Sequence, residues 1–328
     1  MKRISLLFAL VITAGAVCAQ DVRISSGAYA QPVAVITDGG YIYVSNMAGD
    51  PQKKDGNGWI TRTLSTGKAV KWADGLNAPK GMALYGGSLY VTDIDELVRF
   101  SLLDGSIQGR IAVDGARALG DVESSPEGIL YIADLLSASI FSYDTKDGKL
   151  STIIAGLPEA PNALYYDNGQ LYIGTWARGL REDWTNAGAG SLWKMDVKTG
   201  AITLVSKAGI GRIDGLTRFD ADNLLATDHA DGKLLKINMK TGAAEPVAGP
   251  SGAGGYYDDG ALYSADTEHN TVDVNRLRPA KNAVKAEGKQ SAPAALKTEK
   301  NAAQALPAAG KAAKPAAKAA KKAKAKKQ

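Results

Sequence analysis

Apolar residues along the chain gather in short runs rich in tyrosine, valine and isoleucine, and each run is ended by a polar or glycine-containing turn. That is strand patterning, and no amphipathic helical stretch of useful length interrupts it between residues 20 and 279. One run recurs six times: Tyr-Ile-Tyr-Val-Ser-Asn (41–46), Leu-Tyr-Val-Thr-Asp (89–93), Leu-Tyr-Ile-Ala-Asp (130–134), Leu-Tyr-Ile-Gly-Thr (171–175), Leu-Leu-Ala-Thr-Asp (224–228) and Leu-Tyr-Ser-Ala-Asp (262–266). Turn pairs such as Gly86-Gly87 and Asn168-Gly169 precede most copies, as a hairpin requires. The central positions 44, 91, 132, 173, 226 and 264 are 47, 41, 41, 53 and 38 residues apart. About forty residues per unit is the period of a four-stranded propeller blade. A third strand follows each copy, then a glycine turn (Gly105, Gly148, Gly200, Gly242), then a fourth strand. The last unit stops after its third strand near Leu277, and Val22–Ser25 can supply the missing outer strand. The expectation is an all-β fold: a six-bladed β-propeller whose ring is closed by the N-terminal strand.

Charge divides the chain. Residues 280–328 hold 13 Lys and 2 Glu, whereas residues 20–279 hold 24 basic and 32 acidic residues, a net of −8. The overall charge of +5 is therefore set by the tail, and the basic balance does not make the body a nucleic-acid binder. The tail is built of Ala, Lys, Pro and Gly, cannot bury a core and reads as disordered. Its chemistry suits an anionic surface or polyanion, a fold back onto the acidic body, or plain solubilisation.

At the other end, Lys2-Arg3, an apolar run from Ile4 to Val17 and small residues before Gln20 form a secretory signal over residues 1–19. A lipoprotein with modified Cys18 is the rival, although Val17 stands where a small residue is usual. Cys18 is the sole cysteine, so its removal would leave a mature chain without thiols, disulfides or Cys-ligated zinc. No other apolar run is long enough to span a membrane, which places the protein in the periplasm or outside the cell.

In a propeller, the starts of first strands and the ends of second strands converge on one rim of the channel. Counting back ten residues from each aligned tyrosine gives Val33, Lys80, Asp121 and Asn162; one extra residue in unit five gives Asp214, and unit six gives Ala253 or Gly254. Second-strand ends add Asn46, Asp93, Asp134, Thr175, Asp228 and Asp266, with Trp176 and His229 next. The mouth is thus expected to be ringed by carboxylates, unless Asp93, Asp134 and Asp266 serve as turn formers. Oxygen ligands without cysteine suit a hard divalent cation at Asn162 and Asp214: calcium first, with magnesium, manganese or zinc as alternatives. Long loops at 46–58 and 176–190 belong to opposite units and should overhang the mouth. The second carries Arg178, Arg181, Glu182, Asp183 and Trp184, a set that could clamp a small polar ligand. No phosphate loop and no nucleophile elbow is present, and with two histidines a three-His metal site is excluded. His269 reads as a turn residue.

Two motifs carry a family resemblance. Pro-Asn-Ala-Leu-Tyr (161–165) before Leu-Tyr-Ile (171–173), and Ile-Asp-Gly-Leu (213–216) before Leu-Leu-Ala (224–226), resemble the senescence-marker-protein/gluconolactonase family of six-bladed propellers. The resemblance implies that Asn162 and Asp214 bind a divalent cation and that Asp214 is the base in lactone hydrolysis. The family's third ligand, a Glu, would fall at Ala30, beside Gln31, which removes a charged ligand. Ala78–Ala83 leading to Tyr90–Asp93 also resembles NHL-type repeats, whose propellers are mostly binding platforms. Two functions compete. One is a noncatalytic platform that binds a small polar ligand or partner at the mouth through Lys80, Asp121, Trp176, Arg178 and His229. The other is a metal-dependent lactonase or ester hydrolase with Asp214 as base and Asn162 and Asp121 placing the cation. The missing Glu favours the platform.

Overall fold

The computed structural model describes residues 22–25, 27–64, 68–249 and 252–277. The signal segment 1–19 and the basic tail 280–328 expected from the sequence lie outside the described residues. Among the described residues the regular structure is all strand, and no helix is long and apolar enough to cross a membrane.

The described residues form twenty-five strands in six antiparallel sheets. The chain opens with β1 (Val22–Ser25) and then builds blade one from β2 (Pro32–Asp38), β3 (Tyr41–Asn46), β4 (Gly58–Leu64) and β5 (Val70–Leu76). Blade two is β6 (Pro79–Tyr85), β7 (Ser88–Asp93), β8 (Glu96–Ser101) and β9 (Ile107–Ala112). Blade three is β10 (Leu119–Ser124), β11 (Ile129–Asp134), β12 (Ser139–Asp144) and β13 (Leu150–Ile154). Blade four is β14 (Glu159–Asp167), β15 (Gln170–Arg178), the short β16 (Gly188–Ala189), β17 (Leu192–Asp196) and β18 (Ile202–Leu204). Blade five is β19 (Ile213–Arg218), β20 (Asn223–Asp228), β21 (Lys233–Asn238) and β22 (Ala244–Val247). Blade six is β23 (Ala253–Asp258), β24 (Ala261–Asp266) and β25 (Thr271–Arg276), completed on its outer edge by β1. The six-bladed ring closed by the N-terminal strand is thus as the sequence implied. Its seam is β1 antiparallel to β25, with Arg23 donating two hydrogen bonds to Asp273 at 2.8 and 3.0 Å.

Burial explains the run that recurs. The second strand of a blade has a neighbouring sheet on both faces, so it reads as a continuous apolar run rather than an alternation. Every residue of β7 is buried, whereas the outer β9 is exposed or half-buried throughout. Each contact between neighbouring blades has its own apolar cluster. Ile36, Tyr43 and Ile60 of blade one meet Met82, Val91 and Phe100 of blade two, and a smaller set of Leu225, Leu234, Leu262 and Leu277 joins blades five and six. Burying a side chain the size of Phe100 stabilises by about 1.5–3 kcal/mol. The hairpin turns follow from backbone geometry: Gly86 and Gly87 have φ of 57° and 75°, the left-handed pair that a tight two-residue turn demands.

Candidate functional site

Every inner strand bends at the same level. The register of β2, β6, β10, β14, β19 and β23 shifts against its neighbour at 32/35, 79/82, 119/122, 161/163, 213/215 and 253/255. A bulge re-aims the side chains around it, so six equivalent positions are set apart at the channel rim. Pairing Met82 with Val91, Val122 with Ile132, Leu164 with Ile173 and Leu216 with Ala226 makes Lys80, Gly120, Asn162 and Asp214 equivalent. The backbone agrees: Ser45 donates to the Lys80 carbonyl at 2.7 Å, and Thr92 of the next blade donates to the Gly120 carbonyl at 2.6 Å.

Asp121 therefore stands one residue beyond the rim position that a fixed ten-residue count assigns to it. The turn between β10 and β11 is longer than the two-residue turn of blade two, which displaces the count. Asp121 instead caps backbone: its carboxylate accepts from Val122 N at 2.8 Å and from Leu164 N of blade four at 3.0 Å. Glu123, two residues on, accepts from Tyr166 N at 3.2 Å, and Thr217 does the same for Tyr257 N one pair of blades later. These side chains serve inner-strand N–H groups that would otherwise face the channel unpaired. Burial raises Asp121 to about 7 against the pull of its two N–H donors. Burial and then the Asp121 charge raise Glu123 to about 8.

The expected ring of rim carboxylates is likewise spent on backbone. Asp93 is fully buried and accepts from Asn77 N and Nδ2 and from Ala78 N. Asp134 accepts from Arg117 N, Ala118 N and Ser137 N, and Asp228 from Arg212 N and Ala230 N. Asn46 accepts from Ala30 N, while Asp266 accepts from His269 N in a turn. Blade four carries Thr175 at this place, whose hydroxyl accepts from Ser191 N and donates to buried Glu159, a carboxylate held by the side chains of Thr175, Ser191 and Trp193. The turn-former reading describes Asp266 and, through Ser137, one contact of Asp134, whereas Asp93 and the other contacts of Asp134 reach back to the start of the same blade's inner strand.

What does converge at the mouth comes from blades two, four and five. Asn162 Nδ2 donates to Asp214 Oδ1 at 2.9 Å and to Ile213 O at 3.0 Å. His229 Nδ1 lies 2.8 Å from Asp214 Oδ2, so both carboxylate oxygens are engaged. Asp214, first by this hydrogen bond and then by its charge, raises the His229 pKa against burial and Arg212. Trp176 packs 5.7 Å from the His229 ring and 6.1 Å, edge to face, from Trp184. Arg212 lies over Trp176 at 5.0 Å, and the Lys80 ammonium over Trp184 at 5.6 Å. Lys80 Nζ is enclosed and has no hydrogen-bond partner among the described residues. Burial lowers its pKa to about 8, opposed by the charges of Asp134, Asp214 and Asp93.

The two long loops differ. Blade four's loop is anchored by β16 on β15 and brings Trp184 over to Lys80 of blade two, while Glu182 pairs with Arg117 of blade three. Blade one's loop is tied to the rim of blade two by Lys54 to Asp95 at 2.6 Å and Gly56 N to Asn77 at 3.1 Å. Arg178 is exposed and donates to Ala187 O within its own loop, at 3.4 Å. Arg212 takes the place beside the tryptophans that the sequence suggested for Arg178; its position just before Ile213-Asp214 was the available signal.

The donor set does not make a cation cage as arranged. Asp214 is the one carboxylate in the group, both of its oxygens are taken, and Ala30 brings no side-chain donor. Among the described residues no cluster of three His, Cys, Asp or Glu is placed to hold a metal.

No family model matches the chain, and no curated protein matches it. Solved structures do match in fold. One, from the crystal structure of a nidogen/laminin complex, is 17% identical with a TM-score of 0.53, over 66% of this chain and 80% of that one. This likeness shows the propeller alone. With 1078 solved chains matching, the fold is common and assigns no function by itself.

Proposed function

We propose that the protein is a recognition propeller that binds a small polar ligand at the channel mouth, beneath the blade-four loop. The observation that carries this reading is the preset polar cluster under an aromatic cover: Asp214 fixed by Asn162 and His229, with Trp176 and Trp184 beside it. Aromatic walls with a few oriented polar groups are what small-ligand sites use. The reading includes export to the periplasm or beyond, from the N-terminal pattern, and anchoring of the basic tail to an anionic surface.

The second reading is the lactonase-type hydrolase of the gluconolactonase resemblance. One observation favours it, the contact between Asn162 and Asp214 across two blades. It requires a cation to displace the protein donors that now occupy Asp214. Calorimetric titration with calcium, manganese and zinc, on wild type and Asp214→Ala, separates the two. The recognition reading expects no metal binding that depends on Asp214. Metal bound by wild type and lost in the variant, followed by turnover on a lactone panel, would replace it with the hydrolase.

A further inference from the structure

The Lys80 ammonium is surrounded by negative charge yet receives no oxygen. Asp93 on β7 and Asp134 on β11 give their carboxylates to backbone N–H groups, and Asp214 on β19 gives its own to Asn162 and His229. These three carboxylates hold the charge on Lys80 from a distance, and none completes its hydrogen bonds. Leaving an ammonium enclosed and unpaired is costly. Arg212, half-buried over Trp176, forms no ion pair among the described residues either, and His229 is biased toward its charged form. The aromatic pair Trp176–Trp184 is thus flanked at one end by Lys80 and at the other by Arg212.

We infer that the ligand of the mouth is a small organic carboxylate, whose carboxylate accepts hydrogen bonds from Lys80 Nζ while its body lies against Trp184 and Trp176. This rests on the reading of the mouth as a ligand site and names the class that site takes. The anion supplies the acceptor that the fold withholds, and the charges of Arg212 and His229 offset part of the repulsion from the nearby aspartates. Proton linkage follows. The ligand binds the charged amine, so affinity is full below about 8 and falls as pH rises through that value. Above it, binding takes up a proton, and bound ligand moves the Lys80 midpoint upward.

The test uses matched acids and amides on the full chain: lactate and lactamide, mandelate and mandelamide, succinate and succinamide. Tryptophan fluorescence and calorimetry read binding to wild type and to Lys80→Met. A parallel NMR titration follows the Lys80 ε-methylene in sodium acetate and in sodium chloride of equal ionic strength. The acids should bind at least about tenfold tighter than their amides, and Lys80→Met should weaken them at least about thirtyfold while leaving the amides unchanged. Because the variant removes an unpaired enclosed charge, its unfolding midpoint should be no lower than that of wild type. Lys80 should titrate near 8 in chloride and higher in acetate. Acids and amides that bind alike, or acids held equally by Lys80→Met, overturn the carboxylate assignment and leave the mouth as a site for neutral ligands. If neither acids nor amides perturb the tryptophans and acetate leaves the Lys80 midpoint where chloride does, the carboxylate assignment falls too. The recognition reading is tested apart from it, by adding neutral sugars and polyols to the same fluorescence assay; silence there as well removes that reading.

Discussion

Blade three and blade five each place an aspartate on the inner strand within one residue of the same level, and the two do different work. Asp121 accepts from two backbone N–H groups, that of Val122 on its own strand and that of Leu164 on the neighbouring blade. Asp214 meets only side chains, an amide on one oxygen and an imidazole on the other. The first closes hydrogen bonds that the ring itself leaves open. The second caps no backbone N–H, and the backbone contact of its cluster is the bond from Asn162 to the Ile213 carbonyl. In a repeat protein, then, residue type is a weak guide to function, and register together with the identity of the hydrogen-bond partner is a strong one.

The contrast is broken most severely at the backbone-capping carboxylates. Asp93→Ala leaves three N–H donors, one buried and two part-buried, without their acceptor and should cost about 3 kcal/mol of stability in urea unfolding. Beyond unfolding, its effect on ligand binding should be confined to a lower Lys80 midpoint, because the Asp93 charge helps to hold that ammonium. A mild urea curve for this variant would mean that the rim aspartates are not structural.

Gly120→Ala sharpens the contrast without touching a charge. A Cβ there would lie 2.6 Å from Asn162 Oδ1 and 2.9 Å from Leu135 Cδ1, so Asn162 must move and its bond to Asp214 with it. Ligand affinity should drop by about tenfold, on the scale of one lost hydrogen bond to a charged group. The same substitution in Gly109, where a Cβ meets nothing within 4 Å, should leave binding unchanged in the fluorescence assay.

Titration separates the regions next. Glu123 and Asp121 are held above the ordinary carboxylate range, so the folded state keeps protons that the unfolded chain gives up. Their contribution is full below about pH 4 and is lost as pH rises toward about 8. Chemical unfolding across that window should show stability falling, with a shallower fall in Glu123→Gln. At the mouth the effect is smaller and local: Asp214→Asn should lower the His229 pKa toward the ordinary imidazole value, read by NMR, with little change in unfolding.

Most of the architecture was legible because the repeat is written in side chains that stacking demands. The second strands are apolar throughout since both faces are covered, and Val22–Ser25 could be matched to the missing edge because blade six ran out of strands. Asn162 and Asp214 could be placed side by side for the same reason. The register of Asp121 was not legible, because a longer turn in blade three shifts the count and leaves the strand pattern intact. Nor could residue types show that Asp93 and Asp134 are consumed by backbone. The enclosure of Lys80 depends on Trp184, which arrives from a loop two blades away in the ring.

The most direct test of the account pairs urea unfolding with titration of the lactate, mandelate and succinate set on two variants, Asp214→Ala and Asp121→Ala. The account predicts opposite profiles: Asp214→Ala folds nearly as well as wild type and loses ligand, whereas Asp121→Ala loses stability and, while folded, still binds. Asp214→Ala that unfolds as readily as Asp121→Ala and binds as wild type would contradict it.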